Sequence, residues 1–219
     1  MRSFLLGLIL VIVSCETSEK PLSSHKILVI GNSITIHPPD SSIGWNANWG
    51  MAASGPEQDY FALLKADLQN LTSQLYMMRE NVYPFERGFE TLNFEQYAHL
   101  KAFDADIIII RLGENIEDGE ISNWNLAEAI EEFAFYLGGE DTKYIVTTTF
   151  WPRPLVNEQL IHAANENLWK VVDISDLGAD PDNMAIGKFE NQAVASHPND
   201  RGMRGISAAL SKAVKDMEQ

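Results

Sequence analysis

The sequence predicts a three-layer α/β/α domain with a mostly parallel central sheet. Short apolar runs of strand length recur along the chain, and segments with the apolar spacing of helices separate them. One run, Ile107–Ile110, consists of four consecutive isoleucines, as in a strand that is covered on both faces. Because strand and helix alternate, the pattern favours a parallel sheet with helices on both sides.

The predicted elements follow one another in a regular order. Strands are expected at Ile27–Ile30, Gln74–Met78, Ile107–Ile110, Tyr144–Thr149 and Lys170–Val172. Three helical stripes are formed by Phe61, Leu64, Leu68 and Leu71, by Leu126, Ile130, Phe133 and Leu137, and by Met203, Ile206, Leu210 and Val214. Since parallel strands end at one edge of a sheet, functional loops should gather at that edge.

The start of the chain has the features of an export signal. Met1-Arg2 precedes an apolar run from Phe4 to Val13, which is too short to span a bilayer. The run ends at Cys15, the only cysteine, in a context that resembles the lipobox of bacterial lipoproteins. An ordinary secretory signal that leaves one free thiol is the alternative.

This pattern divides the chain into three parts. We expect a signal peptide at residues 1–14, a polar tether at 15–24 and one globular domain at 25–219. A lipid on Cys15 would anchor the domain to a membrane outside the cytoplasm, in the bacterial cell envelope, on the periplasmic side or at the surface.

The charge balance limits the partners. The chain has 16 Lys and Arg against 31 Asp and Glu, for a formal net charge of −15. Nucleic acid is therefore not an expected partner, and a polyanionic substrate would be repelled at long range. A small ester or a neutral acylated glycan suits this surface better.

Three polar motifs lie near the ends of predicted elements. Ser33 follows the first apolar run in Gly31-Asn32-Ser33, where a strand-to-helix turn would expose its hydroxyl as a nucleophile. Asn115 follows Gly113 and the third run, and its amide can donate an N–H to an oxyanion. In the alternative interpretation, both residues have only structural roles: Ser33 caps a helix and Asn115 begins an Asx turn.

A histidine completes the predicted constellation. Of five histidines, only His197 lies in a segment that leads directly into the last helical stripe, from which it can fold back over the first strand. Its imidazole is suited to accept the Ser33 proton and to return one to the leaving alcohol. A surface histidine without function is the alternative.

These motifs, in this order, resemble those of the SGNH, or GDSL-type, hydrolases. Gly31-Asn32-Ser33-Ile34 is similar to the nucleophile block, with Asn32 where the family usually has aspartate. Asn48-Trp49-Gly50-Met51-Ala52-Ala53 resembles the second block and Gly113-Glu114-Asn115 the third. The resemblance implies an oxyanion hole made of the Ser33 N–H, the N–H of Ala53 or Gly50, and the Asn115 side chain. It implies no metal and no cofactor.

The last block departs from the family pattern. The family usually has Asp-x-x-His, whereas this chain has Val194-Ala195-Ser196-His197. Three ways of orienting His197 remain: a backbone carbonyl, a carboxylate such as Glu190 or Asp200, or no orienting group and little activity. We expect a Ser-His dyad.

Aromatic and basic residues near the motifs are candidate substrate contacts. The loop from His37 to Gly55 is long enough to be functional, and it contains Trp45 and Trp49. These two tryptophans either form a wall that stacks on sugars or cover the core beneath the loop. Trp151 is a further candidate, and Arg111 and Arg153 either bind substrate or form ion pairs with the acidic surface.

Taken with the family resemblance, the residues predict a serine esterase that removes small acyl groups, with acetyl groups on carbohydrate as the expected substrate. A lysophospholipase or thioesterase is one alternative, and it would need a long apolar acyl groove. A glycan-binding lipoprotein that has the fold without the activity is the other.

Overall fold

A five-stranded parallel sheet forms the centre of the protein. The computed structural model describes residues 26–72, 74–121 and 125–218. The strands are β1 (Lys26–Gly31), β2 (Tyr76–Asn81), β3 (Ile107–Ile110), β4 (Lys143–Thr147) and β5 (Lys170–Val172), in the order β2-β1-β3-β4-β5. Each neighbouring pair is parallel. The predicted fold class is confirmed, although β2 lies further along the chain than the predicted Gln74–Met78.

Helices cover both faces of this sheet. In chain order they are α1 (Tyr60–Gln69), α2 (Tyr83–Glu86), α3 (Ala98–Lys101), α4 (Asp118–Ile121), α5 (Leu126–Leu137), α6 (Pro154–Glu166), α7 (Ser175–Ala179), α8 (Gln192–Ala195) and α9 (Asp200–Met217). Short 3-10 turns occur at Ser41–Ile43, Phe89–Thr91, Phe94–Tyr97 and Pro181–Asn183. The three predicted stripes lie on α1, α5 and α9, except that Leu71 follows the end of α1. No stripe is predicted for helix α6, because two of its four buried residues are alanines, which contribute little to an apolar pattern.

The core explains why the central strands β1 and β3 consist almost entirely of apolar residues. Alternate residues of β1 and β3 enter two separate clusters, as the two-residue period of a strand requires. The cluster that α5 and α6 cover contains Leu28, Ile30, Ile108 and Ile110, and the cluster that α1 and α9 cover contains Ile27, Val29, Ile107 and Ile109. With apolar neighbours on both sides, β3 has no polar face.

The topology places the candidate site. From β1 the chain crosses to β2 on one side and later to β3 on the other, so a crevice opens at the carboxyl ends of β1 and β3. Ser33 follows β1 and Asn115 follows β3. The predicted helix directly after Ser33 does not form. Residues 32–36 make a tight turn instead, with the Thr35 and Ile36 N–H groups donated to the Asn32 carbonyl at 2.9 and 3.1 Å.

The predicted signal peptide, the lipidation site Cys15, the tether and the first residue of the predicted domain lie outside the described residues. Within residues 26–72, 74–121 and 125–218, no helix has the length and apolar character needed to cross a membrane.

Candidate active site

The turn that carries Ser33 is held by the side chain of Asn32. Its Oδ1 accepts the Ile34 N–H at 3.1 Å, and its Nδ2 donates to the buried carboxylates of Glu86 and Glu114 at 3.0 and 2.7 Å. An ionised aspartate has no N–H to donate and would add a third negative charge at this point. An asparagine at position 32, where the family usually has aspartate, therefore suits the two glutamates beneath the turn.

The structure brings the two predicted partners together. Ser33 Oγ lies 2.8 Å from His197 Nε2, although 164 positions separate them in the chain. His197 Nδ1 lies 2.7 Å from the Ala193 carbonyl oxygen. Because a carbonyl only accepts, the proton of the neutral imidazole is assigned to Nδ1, which leaves Nε2 to accept the Ser33 hydroxyl proton.

Local structure fixes the carbonyl that orients this imidazole. Asn191 caps α8, since its Oδ1 accepts the N–H groups of Ala193 and Val194 at 2.9 and 3.3 Å. The Ala193 carbonyl, which lies within α8, then accepts the hydrogen bond of His197 Nδ1, two residues after the helix ends. A backbone carbonyl is thus the orienting group, which is one of the three solutions expected from the sequence.

Neither carboxylate proposed as an orienting group does this. Asp200 accepts two hydrogen bonds from Ser54, from the N–H at 2.8 Å and from Oγ at 2.7 Å. Glu190 is exposed and lines a surface pocket with Ser41 and Lys188. Among the described residues, no carboxylate is hydrogen-bonded to His197.

His197 is held in an apolar environment. Its side chain is buried, and the Trp151 ring meets it edge-on at 4.9 Å between centroids. Trp151 is itself fixed by a hydrogen bond from Nε1–H to the Ser196 carbonyl at 3.0 Å. Burial lowers the pKa of His197 to about 4, against a smaller raising effect of the Ala193 carbonyl. The histidine is therefore neutral, and able to act as a base, well below neutral pH.

Two of the predicted oxyanion donors are available. The Ser33 N–H donates to no group among the residues that the structure describes. Asn115 Nδ2 donates one N–H to Glu86 Oε2 at 2.6 Å, and its amide has a second N–H to give.

The other two donors are already engaged, which corrects the prediction for the second block. The Gly50 N–H donates to Asp59 Oδ2 at 3.1 Å, and the Ala53 N–H donates to the Gly50 carbonyl, also at 3.1 Å. The turn that they close places Ala52 at a φ of 71°, which a glycine would adopt more readily.

The predicted substrate contacts divide between the core and the site. Arg111 is fully buried and bound to Glu114 and Asn32, and Trp45 is buried beneath its loop, so the structure contradicts a substrate-binding role for both. Trp49 is half-buried and packs edge-on against Trp45. Trp151, by contrast, borders the imidazole.

Arg153 forms the expected surface ion pair. Its Nη1 and Nη2 donate to the two oxygens of Glu117 at 2.7 and 3.1 Å. In the described parts of the chain, no three His, Cys, Asp or Glu side chains are grouped as metal ligands.

Two acidic residues that the sequence did not single out support the site. Asp59 caps α1, accepts the Gly50 N–H and pairs with Arg79 at 2.5 Å, and so holds the second block. Glu86 contacts the first and third blocks. An aspartate before a helical stripe is a recognisable cap signal, whereas nothing in the sequence around Glu86 marks it as special.

Comparison with solved structures supports the same fold. EstA, an esterase from Pseudoalteromonas sp., matches with a TM-score of 0.52 at 14% identity, over 88% of this chain and 98% of its own. A variant of Axe2, an acetyl xylan esterase from Geobacillus stearothermophilus, gives 0.53 at 14% identity, over 90% and 97%. A lipase/acylhydrolase from Enterococcus faecalis gives 0.56 at 14% identity, over 89% and 97%. These structures have the SGNH-hydrolase fold, and this chain shares it.

The comparisons at the level of sequence give no match. No protein-family model matches the chain, and no curated protein matches it.

Proposed function

We propose that this SGNH-fold protein is a serine esterase that hydrolyses small acyl esters, with acetylated carbohydrate as the substrate class. The observation that carries the proposal is the 2.8 Å contact between Ser33 Oγ and His197 Nε2, in the tautomer that lets the imidazole accept a proton. A serine that only capped a helix would have no need of a buried, oriented imidazole.

The mechanism follows from the positions of these groups. Ser33 Oγ attacks the ester carbonyl while His197 Nε2 takes its proton, and the imidazolium then protonates the leaving alcohol. The Ser33 N–H and the second N–H of Asn115 stabilise the negative oxygen of the tetrahedral intermediate. Water, activated by the same imidazole, then hydrolyses the acyl-serine.

Three observations support the proposed acyl group and its carrier. One structural neighbour is described as an acetyl xylan esterase and another, which is about twice the length of this chain, as active on acetylated mannans. The acidic surface favours a neutral substrate. The ring of Trp151 borders His197, which places an aromatic side chain beside the proposed ester position, where it can contact a sugar ring.

We also propose that a lipid on Cys15 anchors the esterase in the bacterial cell envelope. The support is the position of the only cysteine at the end of an apolar export signal. Metabolic labelling of the full chain with a clickable fatty acid tests this, because Cys15→Ala should remove the label.

The activity is tested by hydrolysis of p-nitrophenyl acetate, butyrate and decanoate by the purified protein, beside Ser33→Ala and His197→Ala. If the purified protein hydrolyses the short esters and both substitutions abolish this turnover, the result supports the Ser33–His197 dyad. A preference for decanoate would favour the lysophospholipase or thioesterase alternative. No turnover, together with retained binding of acetylated xylan, would favour the glycan-binding alternative, in which a histidine without a carboxylate partner is inactive.

A further inference from the structure

One buried carboxylate connects the two turns that form the candidate site. Glu86 lies at the end of α2, and 2% of its surface is exposed. Its Oε1 accepts the Gly113 N–H at 2.6 Å and Asn32 Nδ2 at 3.0 Å, and its Oε2 accepts Asn115 Nδ2 at 2.6 Å. The side chain thus contacts both the residue before the proposed nucleophile and the proposed oxyanion donor.

Burying the Glu86 carboxylate costs free energy, because the charged group loses its contact with water. The neighbouring Glu114 is also buried and is paired with Arg111, whereas no hydrogen bond joins Glu86 to a cation among the described residues. Three N–H groups are the partners of Glu86. Burial and the charge of Glu114 raise the pKa of Glu86, and the N–H donors oppose this effect. Because apolar side chains of similar volume generally stabilise a core at least as well as buried charges do, stability alone does not account for Glu86.

We infer that Glu86 is a positioning residue that holds the Asn115 amide with one N–H on the carboxylate and the other directed toward the oxyanion. This inference rests on the proposed esterase function. A primary amide that has lost this contact can rotate by half a turn and present its carbonyl oxygen in place of an N–H. The group at the oxyanion would then repel the charge that it should stabilise.

Glu86→Gln tests the inference with little change in volume. A glutamine can accept at only one of its two terminal atoms, so it cannot serve all three N–H donors. We expect kcat to fall about 10- to 100-fold with KM changed less than about threefold, because the lost contact acts mainly in the transition state. Glu166→Gln is the matched control: Glu166 is exposed at the carboxyl end of α6, which leads to the start of β5 at the opposite edge of the sheet from the site, and kcat should stay within about twofold of wild type.

A double-mutant cycle separates positioning from a general structural effect. If Glu86 acts through Asn115, adding Glu86→Gln to Asn115→Ala should lower kcat by less than about threefold beyond Asn115→Ala alone. Independent, multiplying losses would overturn the inference, as would a Glu86→Gln variant with the kcat of wild type.

A second readout does not depend on turnover. In a 1H–15N NMR spectrum of the wild-type protein, one Nδ2 proton of Asn115 should be shifted downfield and protected from exchange by its bond to the carboxylate, and Glu86→Gln should abolish both effects. An Asn115 signal that does not respond to Glu86→Gln in a folded variant overturns the inference. Wild-type protein without Ser33-dependent turnover would refute the esterase proposal, and the NMR result would still decide the role of Glu86.

Discussion

The pH dependence of turnover is a direct test of the buried imidazole. Acidification protonates the base, and burial against Trp151 lowers the pKa of His197 to about 4 from its usual value of 6.5. With a pKa of about 4, about 97% of the imidazole is neutral at pH 5.5, whereas an ordinary histidine would be only about 9% neutral. The two cases therefore differ about tenfold in expected rate at this pH.

The assay is kcat/KM for p-nitrophenyl acetate from pH 3.5 to 8, followed at the isosbestic wavelength of p-nitrophenol so that product ionisation does not enter. We expect a single rising limb with its midpoint near pH 4 and a plateau from about pH 5.5 upward. Trp151→Ala exposes the His197 imidazole to water, so the midpoint of the variant's pH profile should move up toward pH 6.5. A wild-type midpoint near 6.5, or a Trp151→Ala profile identical to that of wild type, would refute the reasoning.

The same shift affects stability. Since the pKa of His197 is lower in the folded protein than in the unfolded chain, the unfolded chain binds the proton more tightly. The contribution of His197 to stability is complete above about pH 6.5, decreases as the pH falls toward 4, and is lost below that value. Urea unfolding of the wild-type protein and of His197→Gln from pH 4 to 8 should therefore show a steeper loss at acid pH in the wild type.

Three further predictions follow from single contacts. Asp200→Ala should lower kcat less than about threefold, because this carboxylate bonds to Ser54 and not to the imidazole, and a loss near the roughly 10⁴-fold of a true triad acid would contradict the structure. Gly50→Ala should reduce the free energy of unfolding in urea by about 1–3 kcal/mol, because its Cβ would lie 2.6 Å from the Ile34 carbonyl; an unchanged midpoint would argue against this packing. Trp45→Ala should reduce it by about 3–5 kcal/mol, whereas a sugar-stacking Trp45 would be removed at little cost in stability.

The main features of the fold and the proposed dyad could be read from the sequence. Four isoleucines in a row predict a strand that is covered on both faces, and β3 occupies the sheet at those residues. Ser33 and Asn115 could be found because each lies shortly after the end of a strand, and parallel strands bring such positions to one edge. His197 could be found because of its place before the last helix.

The tertiary structure decided which groups serve these residues. The Ala193 carbonyl, rather than Glu190 or Asp200, orients His197, because the short helix α8 turns that carbonyl toward the ring. The sequence predicts that Arg111 either contacts substrate or pairs with the acidic surface, yet its side chain is fully buried. Charge and residue type report what a side chain can do, but the chain path determines which partners it meets.

Glu86 illustrates this division most clearly. Asn32 and Asn115 belong to motifs with a characteristic spacing, since each follows a strand of the same sheet. Glu86 reaches them from α2, and its distances in the chain to Asn32 and Gly113 are set by the intervening elements rather than by the chemistry of the site. The sequence by itself determined the strands, the proposed nucleophile and the proposed oxyanion amide, because these depend on local pattern. Only the fold decided which buried carboxylate would hold them, because hydrogen bonds depend on positions in space.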